Sequence, residues 1–320
     1  MTADGPPTLE FVLGRADDVQ AEAYVRLVGG PADAPIADAQ IHDVQINDVQ
    51  ITGTLTGPRC RHATTLPTAI PLRPLTGDGR AAARALVTEP SFWTPELPNL
   101  YELVAEARTP AGVSAATRRL VGLRRLGVRG RSMWLDGRRW VPRGRGAANA
   151  SFDPARFRAE QLTALISDPT PEVCAAADGI GAPIVARLSD EVDTQTLLDR
   201  VAALAQHPAA VMAVVPRQHV AAIGASRSTG TMLVAVEVDA AEQPPATLAA
   251  GVQCLVARIA PGATPLDAWR DHAPAVPIVA CREGAGEGRR ACDVLQADLA
   301  AWACAGGRTP TWDWAGYIVP

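Results

Sequence analysis

From Trp134 onward, short apolar runs alternate with stretches of helical periodicity. That alternation restricts the region to a doubly wound sheet or a βα barrel, because parallel strands need a crossover of about a dozen residues between them. The runs Trp140–Gly144, Ala164–Ser167, Pro183–Leu188, Val211–Val215, Met232–Glu237, Cys254–Ile259, Pro277–Cys281 and Thr311–Trp314 number eight. Eight suits a closed barrel. Crossover helices are clearest at Thr194 to Gln206, where Leu197, Leu198, Val201 and Leu204 share one face, and at Arg289 to Cys304. Roughly 190 residues are available here, against about 250 in a typical barrel. The connections are therefore expected to be short, or some helices missing.

Ahead of this region the texture is different. Thr8 to Val128 reads as strands (LEFVLG, AEAYVRLVG, the run from Ile41 to Ile51, RAAARALVTE and YELVAEAR) separated by turns bearing Pro and Gly. The expected architecture is an immunoglobulin-like β-sandwich over residues 1–130, followed by a compact (β/α)8 TIM-type barrel over residues 131–320. Within the sandwich, Asp38-Ala-Gln-Ile-His, Asp43-Val-Gln-Ile-Asn and Asp48-Val-Gln-Ile-Thr repeat with period five. Three copies are few for a solenoid and read as a duplication in an edge strand or loop.

Composition removes several classes of function. Hydrophobic residues at 48% and charged residues at 20% describe a chain able to pack a core. The net charge of −4 gives no basic field for nucleic acid, although all 30 basic residues are Arg. No apolar run approaches the roughly 18 residues of a membrane span, and the start lacks a basic segment followed by an apolar one, so the expected compartment is the cytoplasm. The six cysteines and five histidines are scattered without metal-ligand spacing. No metal or cofactor is implied.

The segment Phe92-Trp93-Thr94-Pro95-Glu96-Leu97-Pro98-Asn99-Leu100-Tyr101 resembles the Trp-x-Pro-x-x-Pro-x-Leu-Tyr stretch of family 2 glycoside hydrolases, the β-galactosidase and β-glucuronidase type. Val121-Gly122-Leu123-Arg124 follows in the place of the family's Gly-Phe-Arg strand. Trp134 to Gly144 resembles its Leu-Asn-Gly-Lys turn and the Arg-Gly ending of barrel strand 1. Further on, Asp178-Gly179-Ile180-Gly181 looks like the approach to strand 3, His207-Pro208 like the opening of strand 4, Val276-Pro277-Ile278-Val279 like the start of strand 7, and Trp312-Asp313-Trp314 like the strand 8 Trp-x-Trp. Each motif also has a structural reading: buried aromatic area, a tight turn, extended proline backbone.

The resemblance implies chemistry that the residues do not supply. A retaining glycosidase needs two carboxyl groups about 5 to 5.5 Å apart. The family's acid/base is a Glu ten residues after the Pro of His-Pro, and ten residues after Pro208 stands Gln218, preceded by Arg217. An amide has no transferable proton in the useful range. The family's nucleophile position falls, without gaps, on Arg282, with Glu283 next door on the opposite face unless a bulge shifts the register. Strand 3 ends in Ala186-Arg187, and Ile166-Ser167-Asp168-Pro169 lacks the Arg and His that follow strand 2 in the family.

Two readings of function follow. In the first the chain is a catalytically inactive, family 2-like protein that binds carbohydrate or serves as a scaffold, with Arg143, Gln218, Arg282 and Trp312 lining a saccharide cleft. In the second it is an active retaining β-glycosidase with relocated carboxylates, Glu283 together with Glu237 or Asp239. Asp190 and Glu191 are a lesser pair, since adjacent acids after a strand commonly cap a helix. A saccharide is the expected ligand; no nucleic acid or membrane partner is expected, and no protein partner is identified.

Overall fold

The computed structural model describes residues 6–29, 49–75, 82–110, 112–225, 229–272, 275–284, 288–305 and 311–320. They form two compact units, one of Met1–Trp93 with Asn99–Leu123, the other of Thr94–Pro98 with Arg124–Pro320.

In the first unit, β1 (Thr8–Ala16), β2 (Gln20–Val28), β6 (Ala82–Thr88) and β5 (Arg73–Leu75) form an antiparallel sheet in the order β1-β2-β6-β5. A second sheet has the order β4-β3-β7-β8, from β4 (Thr68–Pro71), β3 (Gln50–Arg59), β7 (Leu100–Thr109) and β8 (Gly112–Val121). Period-two alternation drives them together: β2 buries Ala21, Ala23, Val25 and Leu27 and leaves the residues between half-buried. Ile51, Leu55, Leu103, Ala105 and Ala107 of the other sheet join the same core. This is the immunoglobulin-like sandwich that the strand pattern predicts. The Asp-x-Gln-Ile repeat lies outside the described residues through Asp48; its last Gln50-Ile51-Thr52 opens β3, with Ile51 buried. The Trp-Pro segment is a structural corner, in which Trp93 is fully buried. Its amide donates to the Leu123 carbonyl at 2.6 Å, and the Tyr101 hydroxyl accepts from the Ser91 amide at 3.0 Å.

The second unit begins with a small meander, β9 (Leu126–Arg129), β10 (Ser132–Leu135) and β11 (Arg138–Trp140). Asp136 and Gly137 supply the two positive φ angles, 48° and 75°, of its tight turn. A closed parallel barrel follows: β12 (Arg143–Ala147), β13 (Thr163–Ser167), β14 (Ile184–Arg187), β15 (Ala210–Val215), β16 (Leu233–Asp239), β17 (Cys254–Ile259), β18 (Ile278–Arg282) and β19 (Gly316–Val319). The helices are α1 (Pro154–Ala159), α2 (Pro171–Ile180), α3 (Thr194–Ala205), α4 (Val220–Ala225), α5 (Ala268–Asp271) and α6 (Gly288–Cys304). Residues 240–253, between β16 and β17, contain no helix. The small barrel is reached by trimming its outer ring.

Two barrel strands differ from the sequence expectation. Strand 1 is not Trp140–Gly144, because Trp140 pairs with Met133 in the meander. The barrel strand starts at Arg143 and owes nothing to apolarity. It carries glycine where neighbours press in: a Cβ on Gly144 would lie 2.9 Å from the Ile318 side chain. Strand 8 is Gly316–Val319 rather than Thr311–Trp314, which places both tryptophans ahead of the strand.

The barrel wall also explains several of the motif residues. Arg124, 2% exposed, donates through Nη1 to the carbonyls of Pro208 and, at 2.8 Å, Ala210, and through Nε to Thr231 Oγ1 at 3.2 Å. Burial pushes its guanidinium down to about 10, partly offset by Asp178. Asp178, 5% exposed, lies 2.7 Å from His207 Nδ1 and accepts from the Ala209 amide at 2.8 Å. Gly181 ends α2 at φ 88°, where a Cβ would meet the Pro95 carbonyl at 2.5 Å. The motif residues of strands 3 and 4 and of the Trp-Pro segment thus brace one another.

Candidate functional site

The C-terminal ends of β13 to β16 open onto a cleft of about 500 Å³ lined by Ser167, Asp168, Arg187, Asp190, Gln218 and Glu237 among others. It lies where a parallel barrel carries its active site. Its floor is set by alternation along three strands: Arg187 of β14, Glu237 of β16 and Cys281 of β18 meet at one level of the lumen. Arg187 Nη2 is 2.8 Å from Glu237 Oε2 and 3.8 Å from Cys281 Sγ. The ion pair is close but poorly aligned, because Arg187 Nε and Glu237 Oε2 are both buried atoms with no hydrogen-bond partner. Arg258 reaches over from β17, 3.9 Å from Glu237 and 3.4 Å from Asp239. At the other side Asp168 pairs with Arg200 at 2.9 Å and accepts from the Ser189 amide at 3.3 Å.

The sequence-predicted residues separate into two groups. Gln218 lies in the short 3-10 turn Arg217–His219 after β15, exposed and lining the cleft. Glu237 lines the same cleft, and Asp239 is joined to it through Arg258. Glu283 follows β18 and is exposed. Burial pushes the Cys281 thiol up to about 11; Arg187 opposes this, whereas Glu237 and Glu283 both add to it.

Three residues are not in the mouth. Arg282 turns outward, donating to Asp298 of α6 at 2.5 Å. This reverses the phase expected for the end of β18: the residue facing Arg187 is Cys281, and Arg282 points away from it. Arg143 also faces α6, bonded to Asp293 at 2.8 Å and Gln296 at 2.5 Å, at the start of β12. Trp312 precedes β19 and lines a different groove. Sequence reasoning missed Arg187 and Cys281 as site residues; their place at the end of apolar strands was the available signal. Asp190 lines the cleft, while Glu191 is exposed and donates its amide to the Ser189 hydroxyl. Neither caps α3, whose N-cap is Asp193.

Chemically, the mouth offers guanidinium donors, carboxylate acceptors and one amide to a polar ligand. Among the described residues no group of three or more His, Cys, Asp or Glu is arranged to hold a metal ion, and no helix is long and apolar enough to cross a membrane.

No protein-family model and no curated protein sequence matches the chain. Solved structures do match in fold. A β-glucuronidase of Ruminococcus gnavus superposes with a TM-score of 0.63 at 11% identity, over 98% of this chain and 61% of that one. A β-glucuronidase from Ruminococcus gnavus in complex with D-glucuronic acid gives 0.61 at 11% identity, over 98% of this chain and 61% of that one. A Bifidobacterium dentium β-glucuronidase complexed with coumarin-3-O-glucuronide gives 0.59 at 12%, over 98% of this chain and 60% of that one. The chain thus spans about three fifths of the length of the structures it matches. The shared property is the fold, a sandwich followed by a TIM-type barrel.

Proposed function

We propose that this chain is a family 2 glycoside-hydrolase-like protein whose barrel mouth binds a saccharide without hydrolysing it. One observation carries the reading. The cleft at the strand ends holds Gln218 at the position the motifs give to the acid/base, and Glu237, which lines the same cleft, is held by Arg187. An amide cannot protonate a leaving oxygen, and the Glu237 carboxylate is taken up in an ion pair with Arg187 at 2.8 Å. Around this pair the cleft presents Asp168, Asp190 and Gln218, polar groups suited to the hydroxyls of a bound sugar. The fold's likeness to glucuronidases whose structures contain D-glucuronic acid or a glucuronide supports a saccharide as the ligand.

The Glu237 carboxylate at the cleft and Glu283 just beyond the end of β18 keep a second reading open, a retaining β-glycosidase built on that pair. A panel of nitrophenyl β-glycosides assayed across the acid to neutral range separates the two. The binding reading expects no turnover above that of Glu283→Gln or Glu237→Gln, together with sugar binding by calorimetry that Arg187→Ala weakens. Turnover abolished by Glu283→Gln establishes the active reading instead.

A further inference from the structure

We infer that the groove containing Trp312 is a second saccharide site, separate from the mouth and sharing no residue with it. The groove has a volume of about 370 Å³, within the range of small-ligand sites. It lies beside α6, ahead of β19, and so at the N-terminal end of that strand, whereas the mouth cleft lies at the C-terminal strand ends. Three indoles form its wall: Trp312 and Trp314 have ring centroids 5.0 Å apart, Trp302 and Trp314 6.4 Å. Across from them α6 contributes Ala300 and Ala303, whose methyl groups leave the space unfilled. Trp312 is only half-buried, and its Nε1 donates to the Trp269 carbonyl at 3.0 Å, which fixes the plane of its ring. It is a preorganised stacking face.

The polar groups select the ligand. Trp302 is 6% exposed, and its buried Nε1–H has no acceptor among the described residues. A donor left in this state calls for an oxygen acceptor from an ordered water or a ligand. The Arg270 guanidinium already covers the Trp302 ring at 4.9 Å, so a cationic guest would meet a resident cation. The Asp313 carboxylate, with a side chain 68% exposed at the rim and 3.5 Å from Arg139, keeps lone pairs that accept hydroxyl hydrogens. Tilted apolar faces, a lone N–H donor, and a carboxylate and guanidinium at the edge together suit a neutral pyranose. Its C–H face stacks on indole while its hydroxyls bond to the rim.

The test uses the full chain with neutral glucose- and galactose-containing disaccharides as probes, read by saturation-transfer NMR and calorimetry. Binding is expected in the wild type and weakened about tenfold or more in Trp312→Ala, whereas Arg187→Ala is expected to weaken the mouth site alone and to leave a Trp312-dependent component. Ala300→Trp, which fills the groove from an exposed helix position and leaves Trp312 intact, is expected to block it as well, and carries the test if Trp312→Ala fails to fold. Absence of binding at millimolar sugar overturns the inference, as does binding indifferent to both groove variants. Loss in Arg187→Ala alone assigns the sugar to the mouth. Saturation by indole but by no sugar assigns the groove to flat aromatic ligands and equally overturns it.

Discussion

Two polar clusters on the same barrel are built in opposite ways. In the wall, Arg124 and Asp178 are almost removed from water with His207 partly buried beside them, and the groups they bring are matched by carbonyls, an amide and each other. In the mouth, Arg187, Glu237, Asp239 and Arg258 remain partly exposed, and two buried polar atoms of the Arg187–Glu237 pair have no hydrogen bond. The first pattern is what a protein needs to hold elements together, because a buried charge left unpaired is strongly destabilising. The second is what it tolerates where a ligand completes the bonding. The motif residues Arg124, Asp178 and His207 stand in the wall, whereas Arg187 and Gln218, two of the departures from the motifs, line the mouth and Arg282, a third, faces α6.

The sharpest way to break this contrast is to truncate one member of each cluster. Arg124→Ala strands the Pro208 and Ala210 carbonyls and leaves Asp178 with less compensating charge, so it is expected to cost about 3–5 kcal/mol in urea unfolding. Arg187→Ala is expected to cost about 1 kcal/mol or less, as for other partly exposed ion pairs. Equal losses would mean that the mouth is a structural network too.

A smaller effect sharpens the distinction between Asp178 and a surface carboxylate. Burial raises the Asp178 pKa above the ordinary 3.8, against the pull of His207, the Ala209 amide and Arg124. The folded state holds that proton more tightly, so the stability it contributes is present below the ordinary value and is lost as pH rises through the raised folded one. Asp193 is the opposite case. As the N-cap of α3 it accepts from the Thr196 hydroxyl at 2.6 Å and from the Thr196 and Gln195 amides, which lower its pKa. Its contribution is present above 3.8 and is lost as pH falls through the lowered value. Stability measured against pH is therefore expected to gain in relative terms on the neutral side in Asp178→Asn and to lose there in Asp193→Asn. Changes of one sign in both variants would overturn the assignment.

The smallest effect concerns a cap in the wall. Thr170 begins α2, the helix that carries Asp178, and its hydroxyl accepts from the Val173 amide at 3.4 Å. Thr170→Ala is expected to remove about 1 kcal/mol with no change in sugar binding by calorimetry.

Much of the fold was legible because hydrophobic period follows from backbone geometry alone. Alternation gave β2, and the six central apolar runs lie on β13 to β18. Strands 1 and 8 were misplaced for a related reason. β12 is selected by close approach, through Gly144 and Gly146, and that leaves no apolar signature; Trp312 and Trp314 are apolar, but the groove beside α6 rather than the barrel takes them. β8 escaped notice because its alternation is inverted, with Val113 and Leu120 exposed and Thr117 and Arg119 half-buried.

For the candidate site, sequence by itself determined which residue types stand near the strand ends: Gln218, Arg187, Glu237, Arg282 and Glu283, with no Asn-Glu pair after His207-Pro208. Only tertiary structure decided which of them face one another. The phase of β18 turns Arg282 toward Asp298 and Cys281 into the lumen, and the curvature of the closed barrel brings Arg187, Glu237 and Cys281, from three alternate strands, to one level. Side-chain direction changes sign with each residue along a strand, and contact across the lumen depends on barrel shear; neither quantity is carried by residue identity.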